Sequence, residues 1–219
     1  MDFSPLFISL KVAFIATLFT FLLGLGAARL VVELKHGKGL IDGIFTLPLV
    51  LPPTIVGFFL LVVFGKRGFL GEFLNRFGIS IVFSWIGAVI ASIVVSFPIM
   101  YCTCRGAFEQ IDMNLIYAAR TLGMTERQIF FKITLPNSIH SILAGTVLAF
   151  ARALGEFGAT IMIAGNIPGK TETMAVAVYI AVQSGKRELA YKWVAIICII
   201  SFATIIIMNW WANLRGKRR

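Results

Sequence analysis

The chain has 219 residues, 58% of them hydrophobic and 14% charged, with a formal net charge of +10. A soluble domain is roughly half apolar and about a quarter charged, so this composition excludes a soluble globular protein and places the chain in a membrane. The basic residues sit in short segments between apolar runs and form no continuous face with interleaved aromatics, which excludes nucleic acid and suits anionic membrane lipid.

The first apolar run, 6–32, is interrupted only by Lys11 and Arg29. It has no basic start and outruns a signal core, so it predicts a transmembrane helix and not a cleaved leader. Runs at 44–64, 80–104, 139–164 and 193–211 also reach the length needed to cross about 30 Å of hydrocarbon. A run at 174–182, with Lys170 before it and Lys186 and Arg187 after it, is only half as long and predicts an interfacial or re-entrant helix. Trp85, Trp193, Trp210 and Trp211 lie near the ends of the runs, as an interfacial aromatic belt requires. Cys102, Cys104 and Cys198 have no metal-ligand or disulfide spacing and read as small buried hydrophobes; His36 and His140 read as ordinary interfacial side chains.

Five spans put the termini on opposite sides. With the N-terminus outside, the cytoplasmic set is Arg29, Lys35, Lys38, Arg105, Arg120, Arg127, Lys132, Arg215, Lys217, Arg218 and Arg219. The outside set is the smaller one, Lys66, Arg67, Arg76, Lys170, Lys186, Arg187 and Lys192, as the positive-inside rule demands. The C-terminus is then cytoplasmic.

In the second run Pro48, Pro52 and Pro53 each remove an amide donor, so the helix must kink or break. The result is either a passive kink that shapes packing or a bent, pore-facing helix that changes angle. Pro98 acts similarly, once, in the third run. Gly24, Gly26, Ala27 and Ala28 in the first run, and Ala144, Gly145, Ala149, Ala151, Ala153, Gly155, Gly158 and Ala159 in the fourth, predict close helix contacts.

The polar segment 112–136 lies between the third and fourth runs. Asp112 can cap a helix, Leu115, Ala118, Ala119 and Leu122 fall on one stripe, and Gly123 is placed for a left-handed C-terminal cap. Thr125 then opens a second helix with Gln128 completing a capping box, and Pro136 suits the first turn of the next span. The segment reads as helix, tight turn and helix, with an Ala-Ala patch small enough to enter another protein's groove.

Ala118-Ala119, then Gly123, then Ile133-Thr134-Leu135-Pro136 resemble the EAA signature of binding-protein-dependent ABC importer permeases. With TLPLVLPPTIVGFFLLVVFGKRGFLG at 46–71 and GTVLAFARALGEFGATIMIAGNIPGKT at 145–171, most of the chain resembles the permease subunit of molybdate importers in the oxyanion branch. Sulfate and tungstate permeases are the near alternatives. The resemblance implies an all-α polytopic membrane protein of the type I ABC importer permease fold, a single permease domain over 1–219 with five transmembrane helices and a cytoplasmic coupling helix pair.

It further implies two cytoplasmic ABC ATPase subunits docked on Leu115, Tyr117, Ala118, Ala119, Arg120, Thr121, Leu122, Gly123, Met124, Ile133, Leu135 and Pro136. An extracytoplasmic molybdate-binding protein, a homodimer around a central pathway and a prokaryotic inner membrane complete the setting. Tyr117 stands where the family carries glutamate, which removes any ionic contact that residue makes. Pro48, Pro52 and Pro53 become pathway or gating residues.

Arg152 and Glu156 stand four apart in the fourth run, hence on one helix face, and must face protein or water, since each costs about 2.5–3.5 kcal/mol at a helix centre in lipid. They read either as a salt bridge that fixes the bundle or as a pathway pair, Arg152 helping an oxyanion pass and Glu156 holding it so that the anion is not trapped. No catalytic set, metal cluster or cofactor site appears, so ATP hydrolysis is expected in the partner; a membrane-embedded enzyme would lack its catalytic groups. Residues 164–171 match a loose phosphate-loop pattern but end a span on the outer side, where they serve as a turn.

Overall fold

The computed structural model describes residues 2–34 and 36–216, with side chains described through 207. The described residues form helices α1 (Ser4–Glu33), α2 (Lys38–Val50), α3 (Pro53–Phe64), α4 (Phe69–Asn75), α5 (Trp85–Glu109), α6 (Met113–Thr121), α7 (Glu126–Ile129), α8 (Leu135–Leu154), α9 (Gly158–Ala164), α10 (Met174–Gln183) and α11 (Arg187–Gly216), with a π turn at Phe130–Thr134 and no strand. Four stretches are long and apolar enough to cross a membrane: α1, α5, Glu126–Leu154 and Arg187–Ile207. The pair α2 and α3, bent by 111°, makes a fifth if it counts as one span.

Small residues decide which helices touch. In α1, a Cβ on Gly24 would stand 2.7 Å from Met100 Cγ and 3.2 Å from the Tyr101 amide nitrogen of α5. In α8, a Cβ on Gly145 would stand 2.9 Å from Thr103 Cβ. Ala28 and Ala149 are buried in one cluster with Met100 and Tyr101, and Ala13 and Ala16 in a second one nearer the start of α1. Without a hydrophobic force between helices in lipid, such backbone approach supplies the dispersion contact that holds them. A buried hydrogen bond of 3.1 Å joins Thr20 Oγ1 of α1 to Ser96 Oγ of α5. Ser96 spends its own proton on the Ser92 carbonyl at 2.6 Å, so its oxygen is left to accept from Thr20. Gly26, with nothing within 4 Å of its Cβ position, takes no part in the packing.

Several boundaries differ from the apolar runs. The run at 80–104 becomes helical only at Trp85, because extended Ser84 caps α5 by accepting the Gly87 N–H, and the helix then continues through buried Pro98 to Glu109. The last helix begins at Arg187 and not at 193, which moves Trp193 inward. It is 2% exposed and packs in the core with Val12 and Met174, so it is no part of an interfacial belt. Trp85, 37% exposed, keeps such a position; the side chains of Trp210, Trp211 and Arg215, together with Lys35, Lys217, Arg218 and Arg219, lie outside the described residues. Short α10 is not laid on the surface alone: Met174, Val176, Ala177 and Ala181 are buried, and the Met174 N–H donates to Ser9 Oγ of α1 at 2.7 Å. Of the cysteines only Cys104 is buried; Cys102 and Cys198 are exposed on apolar helices, where a thiol costs little. Both histidines are exposed.

Gly24→Leu should therefore destabilise the bundle by about 1–3 kcal/mol, the usual cost of overpacking a tight contact. Gly26→Leu, two residues along the same helix, should leave it unchanged. Thermal unfolding of the two variants in detergent separates them, and equal midpoints would show that the α1–α5 approach does not hold the fold.

Candidate functional site

The segment between α5 and α8 is built by local hydrogen bonds. Asp112 Oδ1 accepts the Asn114 N–H at 2.9 Å and caps α6. At the other end Met124 N–H reaches the Ala119 carbonyl (3.1 Å) and Gly123 N–H the Arg120 carbonyl (2.9 Å), with Gly123 at φ +78°. That is a Schellman closure, which asks for glycine at the left-handed position. Thr125 and Gln128 then form the reciprocal capping box that opens α7. Arg120 clasps Glu126 through Nε (2.7 Å) and Nη2 (3.2 Å), tying α6 to α7 across the turn. The clasp is exposed, so it sets orientation more than stability.

The expected stripe of Leu115, Ala118, Ala119 and Leu122 is divided. Ala119 is buried toward α7, while Leu115 (50% exposed), Ala118 and Leu122 (81% exposed) face outward with Tyr117 (55%). A helix of nine residues seated on one side can bury only a narrow strip, and the rest becomes an apolar outer face. Thr121, Gly123 and Met124 continue that face, Met124 half-buried.

Pro136 stands in the first turn of α8, as its type suits, but α8 is not separated from what precedes it. Glu126–Leu154 runs on without interruption, and the π turn lies just before the proline. Proline cannot donate to the Lys132 carbonyl and would press on it in a regular α-turn. Widening the ladder, with Leu135 N–H reaching back to the Phe130 carbonyl, relieves that contact. Asn137 Nδ2 adds a 2.7 Å bond to the Ile133 carbonyl. The same turn presents Phe130 edge-on to Phe108 of α5 (5.7 Å) and beneath the Arg29 guanidinium of α1 (4.1 Å). The segment 112–136 is thus gripped by two membrane helices at one pole.

A second cluster lies where two helices break. The α2–α3 chain turns at Leu51 and Pro52, with Pro53 opening α3, whereas Pro48 stays inside α2 without ending it. The other break separates α8 from α9 at residues 155–157, so Glu156 does not continue the face of Arg152 but occupies the gap. There its Oε1 accepts the Ala159 N–H at 2.7 Å, capping α9. Its Oε2 lies 2.6 Å from Arg152 Nη1 as an ion pair without hydrogen-bond alignment. The glutamate side chain is 1% exposed and the arginine 30%. The two breaks abut: a Cβ on Gly158 would stand 2.9 Å from Pro53 Cβ, and one on Gly57 would stand 2.7 Å from the Ala159 Cα. Broken helices at membrane depth persist only where protein or a water-filled cavity satisfies their freed backbone groups.

A third group escaped the sequence reading. Asp42 of α2 accepts from the Tyr101 hydroxyl and pairs with Arg105 of α5, whose Nε also meets Glu109 at 2.9 Å. Phe45, Phe97 and Tyr101 stack and meet edge-on around it, with centroids 5.2–5.9 Å apart. Only the Arg105–Glu109 spacing was visible along the chain; Asp42 arrives from another helix. Segment 164–171 is a turn: Thr171 is fully buried and its Oγ1 accepts the Ile167 N–H at 3.0 Å, so its hydroxyl faces no ligand.

Residues 20–219 match the family model described as binding-protein-dependent transport system inner membrane component. The chain is similar to the molybdenum transport system permease protein ModB of Escherichia coli (strain K12), 46% identical over 99% of this chain and 96% of the relative. It is similar to the putative molybdenum transport system permease protein YvgM of Bacillus subtilis (strain 168), 43% identical over 94% and 92%. With the sulfate transport system permease protein CysT of Salmonella typhimurium the identity is 33% over 96% and 76%. Among solved structures it superposes on an inward-facing MetNI methionine ABC transporter (TM-score 0.73, 17% identity, 96% and 94% covered). A bacterial ABC transporter for alginate gives a TM-score of 0.77 at 17% identity, with 96% and 78% covered. The fold is that of ABC importer permeases, and the chain belongs to the family of binding-protein-dependent transport system inner membrane components.

Proposed function

We propose that the chain is the permease subunit of an ATP-driven importer of molybdate. The observation that carries this reading is the gap in identity, 42–46% to molybdenum permeases, with near-complete coverage of both chains, against 33–35% to sulfate permeases. In this reading two copies enclose a central pathway, two ABC ATPase subunits sit in the cytoplasm, and a molybdate-binding protein delivers cargo from outside. The N-terminus is outside and the C-terminus inside, which places α6 and α7 where an ATPase reaches them.

The outer face of α6, with Leu115, Tyr117, Ala118, Thr121 and Leu122, enters the ATPase groove, and Arg120 braces it. Tyr117, in place of an acidic residue, contributes an aromatic surface near the Arg120 guanidinium, 5.9 Å away. Closure of the ATPases on ATP displaces α6 and α7. Phe130 passes the displacement to α1 and α5, while Ile133, Leu135 and Pro136 pass it along Glu126–Leu154 to the two breaks. There Arg152 offers positive charge to the oxyanion, and Glu156 holds the guanidinium and offsets its charge, so the anion is attracted without being trapped. ATP is hydrolysed in the partner subunit.

In cells lacking this gene, molybdate uptake should fall while sulfate uptake persists; equal loss of both would overturn the assignment. Gly123→Glu should leave membrane insertion intact and reduce transport to background. It forces a side chain into a left-handed backbone at a cost of about 1–2 kcal/mol and sets a carboxylate in the docking seam. Undiminished uptake would remove α6 from coupling. Arg152→Ala alone strands Glu156, and breaking a buried pair costs about 3–5 kcal/mol, so the informative variant is Arg152→Ala with Glu156→Gln. Its assembled complex should transport at least about tenfold more slowly, the worth of one 1.4 kcal/mol contact. Normal transport would take Arg152 out of the pathway.

A further inference from the structure

Lys11 is a charge within the first span for which the transport reading has no use. α1 turns Phe7, Lys11, Phe14 and Leu18 outward, at spacings of three and four that keep them on one face. Phe7 and Phe14 are each 69% exposed, and Val12, Ala13 and Ala16 are buried on the far side, so this apolar face is left uncovered by the rest of the chain. A lysine on that face is tolerated when its stem runs along apolar surface and its ammonium reaches the interface. Lys11 does so, its Nζ standing 3.7 Å from the centroid of the Trp85 ring at the start of α5.

A cavity of about 330 Å³ opens at this point, with Lys11, Lys170, Ser84 and Trp85 at its rim and Ile8 and Phe83 among its walls. No acidic side chain lines it, and among the described residues neither lysine is in an ion pair. The N-terminus of α5, 25 residues long, adds its positive potential to the two ammonium groups. Cationic rim, tryptophan and an apolar stripe leading away toward mid-membrane are the complement of one kind of molecule: a phosphate attached to acyl chains. A free oxyanion would have no use for the stripe.

We propose that this cavity binds the phosphate headgroup of an anionic phospholipid, Lys11 and Lys170 meeting the phosphate while an acyl chain lies along Phe14 and Leu18. The lipid belongs to the leaflet at the pole opposite α6 and α7, which is the outer leaflet in the orientation proposed above. The reading of the chain as a permease supplies only that name; the test is independent of orientation and of cargo.

The permease, purified with its associated subunits, is incubated with phosphatidylglycerol or phosphatidylcholine and examined by native mass spectrometry. Phosphatidylglycerol should be retained in preference to phosphatidylcholine, one per permease chain. Lys11→Gln and Lys170→Gln should each lower its retention about fivefold, the effect of removing one interfacial cation, and the double variant should lower it further. Lys11→Arg should preserve it. Lys170 lies in a loop outside the spans, so its variant reports on binding even where a change at Lys11 disturbs insertion. Retention by the double variant equal to that of the original protein, or no preference between the lipids, overturns the proposal. Displacement of the lipid by inorganic phosphate or molybdate alone overturns it too, and assigns the cavity to a free oxyanion.

Discussion

Two interrupted helices that abut are tolerable because each covers the other's break from hydrocarbon. A break frees backbone groups that hydrocarbon cannot satisfy, at several kcal/mol each. Here α3 and α9 close over their own starts, with Gly57 and Gly158 admitting backbone to backbone, and Glu156 supplies the acceptor that the first turn of α9 needs. A side chain on either glycine would separate the helices, and the carboxylate would then have to face lipid. The placement of Arg152 follows from this, since its partner is fixed by a capping role that does not depend on the ion pair.

That dual use of Glu156 explains why the pair is asymmetric in exposure. The glutamate is locked by a backbone N–H on one oxygen and by Arg152 on the other, while the guanidinium stays about a third open. An arginine held in this manner costs less to keep at membrane depth than an isolated one, because its counter-charge is already paid for by helix geometry. It also presents a smaller net field than a free cation, a property suited to passing a divalent anion in the reading proposed above.

What was legible along the chain was whatever short-range chemistry dictates. Asp112, Gly123, Thr125 and Gln128 each declare a cap, and each makes the hydrogen bond that its type and position require. Pro52 and Pro53 declared the bend, though not its 111°. The rest depended on partners distant in sequence. Glu156 sits in a run as apolar as its neighbours, so the gap at 155–157 carries no period change, and only packing of Gly158 on Pro53 reveals why the chain leaves the helix there. Pro136 marks the first turn of α8, but the π turn that joins it to α7 has no sequence signature of its own. Trp193 stands at the start of an apolar run, but the helix begins earlier, at Arg187, so the indole lies within α11 and packs in the core.

The same contacts divide the molecule into parts that can move and parts that cannot. α1, α5 and α8 meet through glycine and alanine contacts with no slack, so they can shift only together. α2 is different: it has no buried residue, and polar and aromatic groups hold it to α5 through Asp42, Tyr101, Arg105 and Phe45. Directional polar contacts of this kind have two discrete states, made or broken, where a packed glycine seam has one. In the reading proposed above, movement delivered through Phe130 to α5 meets a rigid neighbour in α1 and a releasable one in α2. Since α2 is joined at its bend to α3, and α3 lies on α9, release at Asp42 changes the angle at the very place where Arg152 stands. In that proposed reading the bend, the latch and the arginine form one mechanical series, with the helix pair at 112–136 at its driven end.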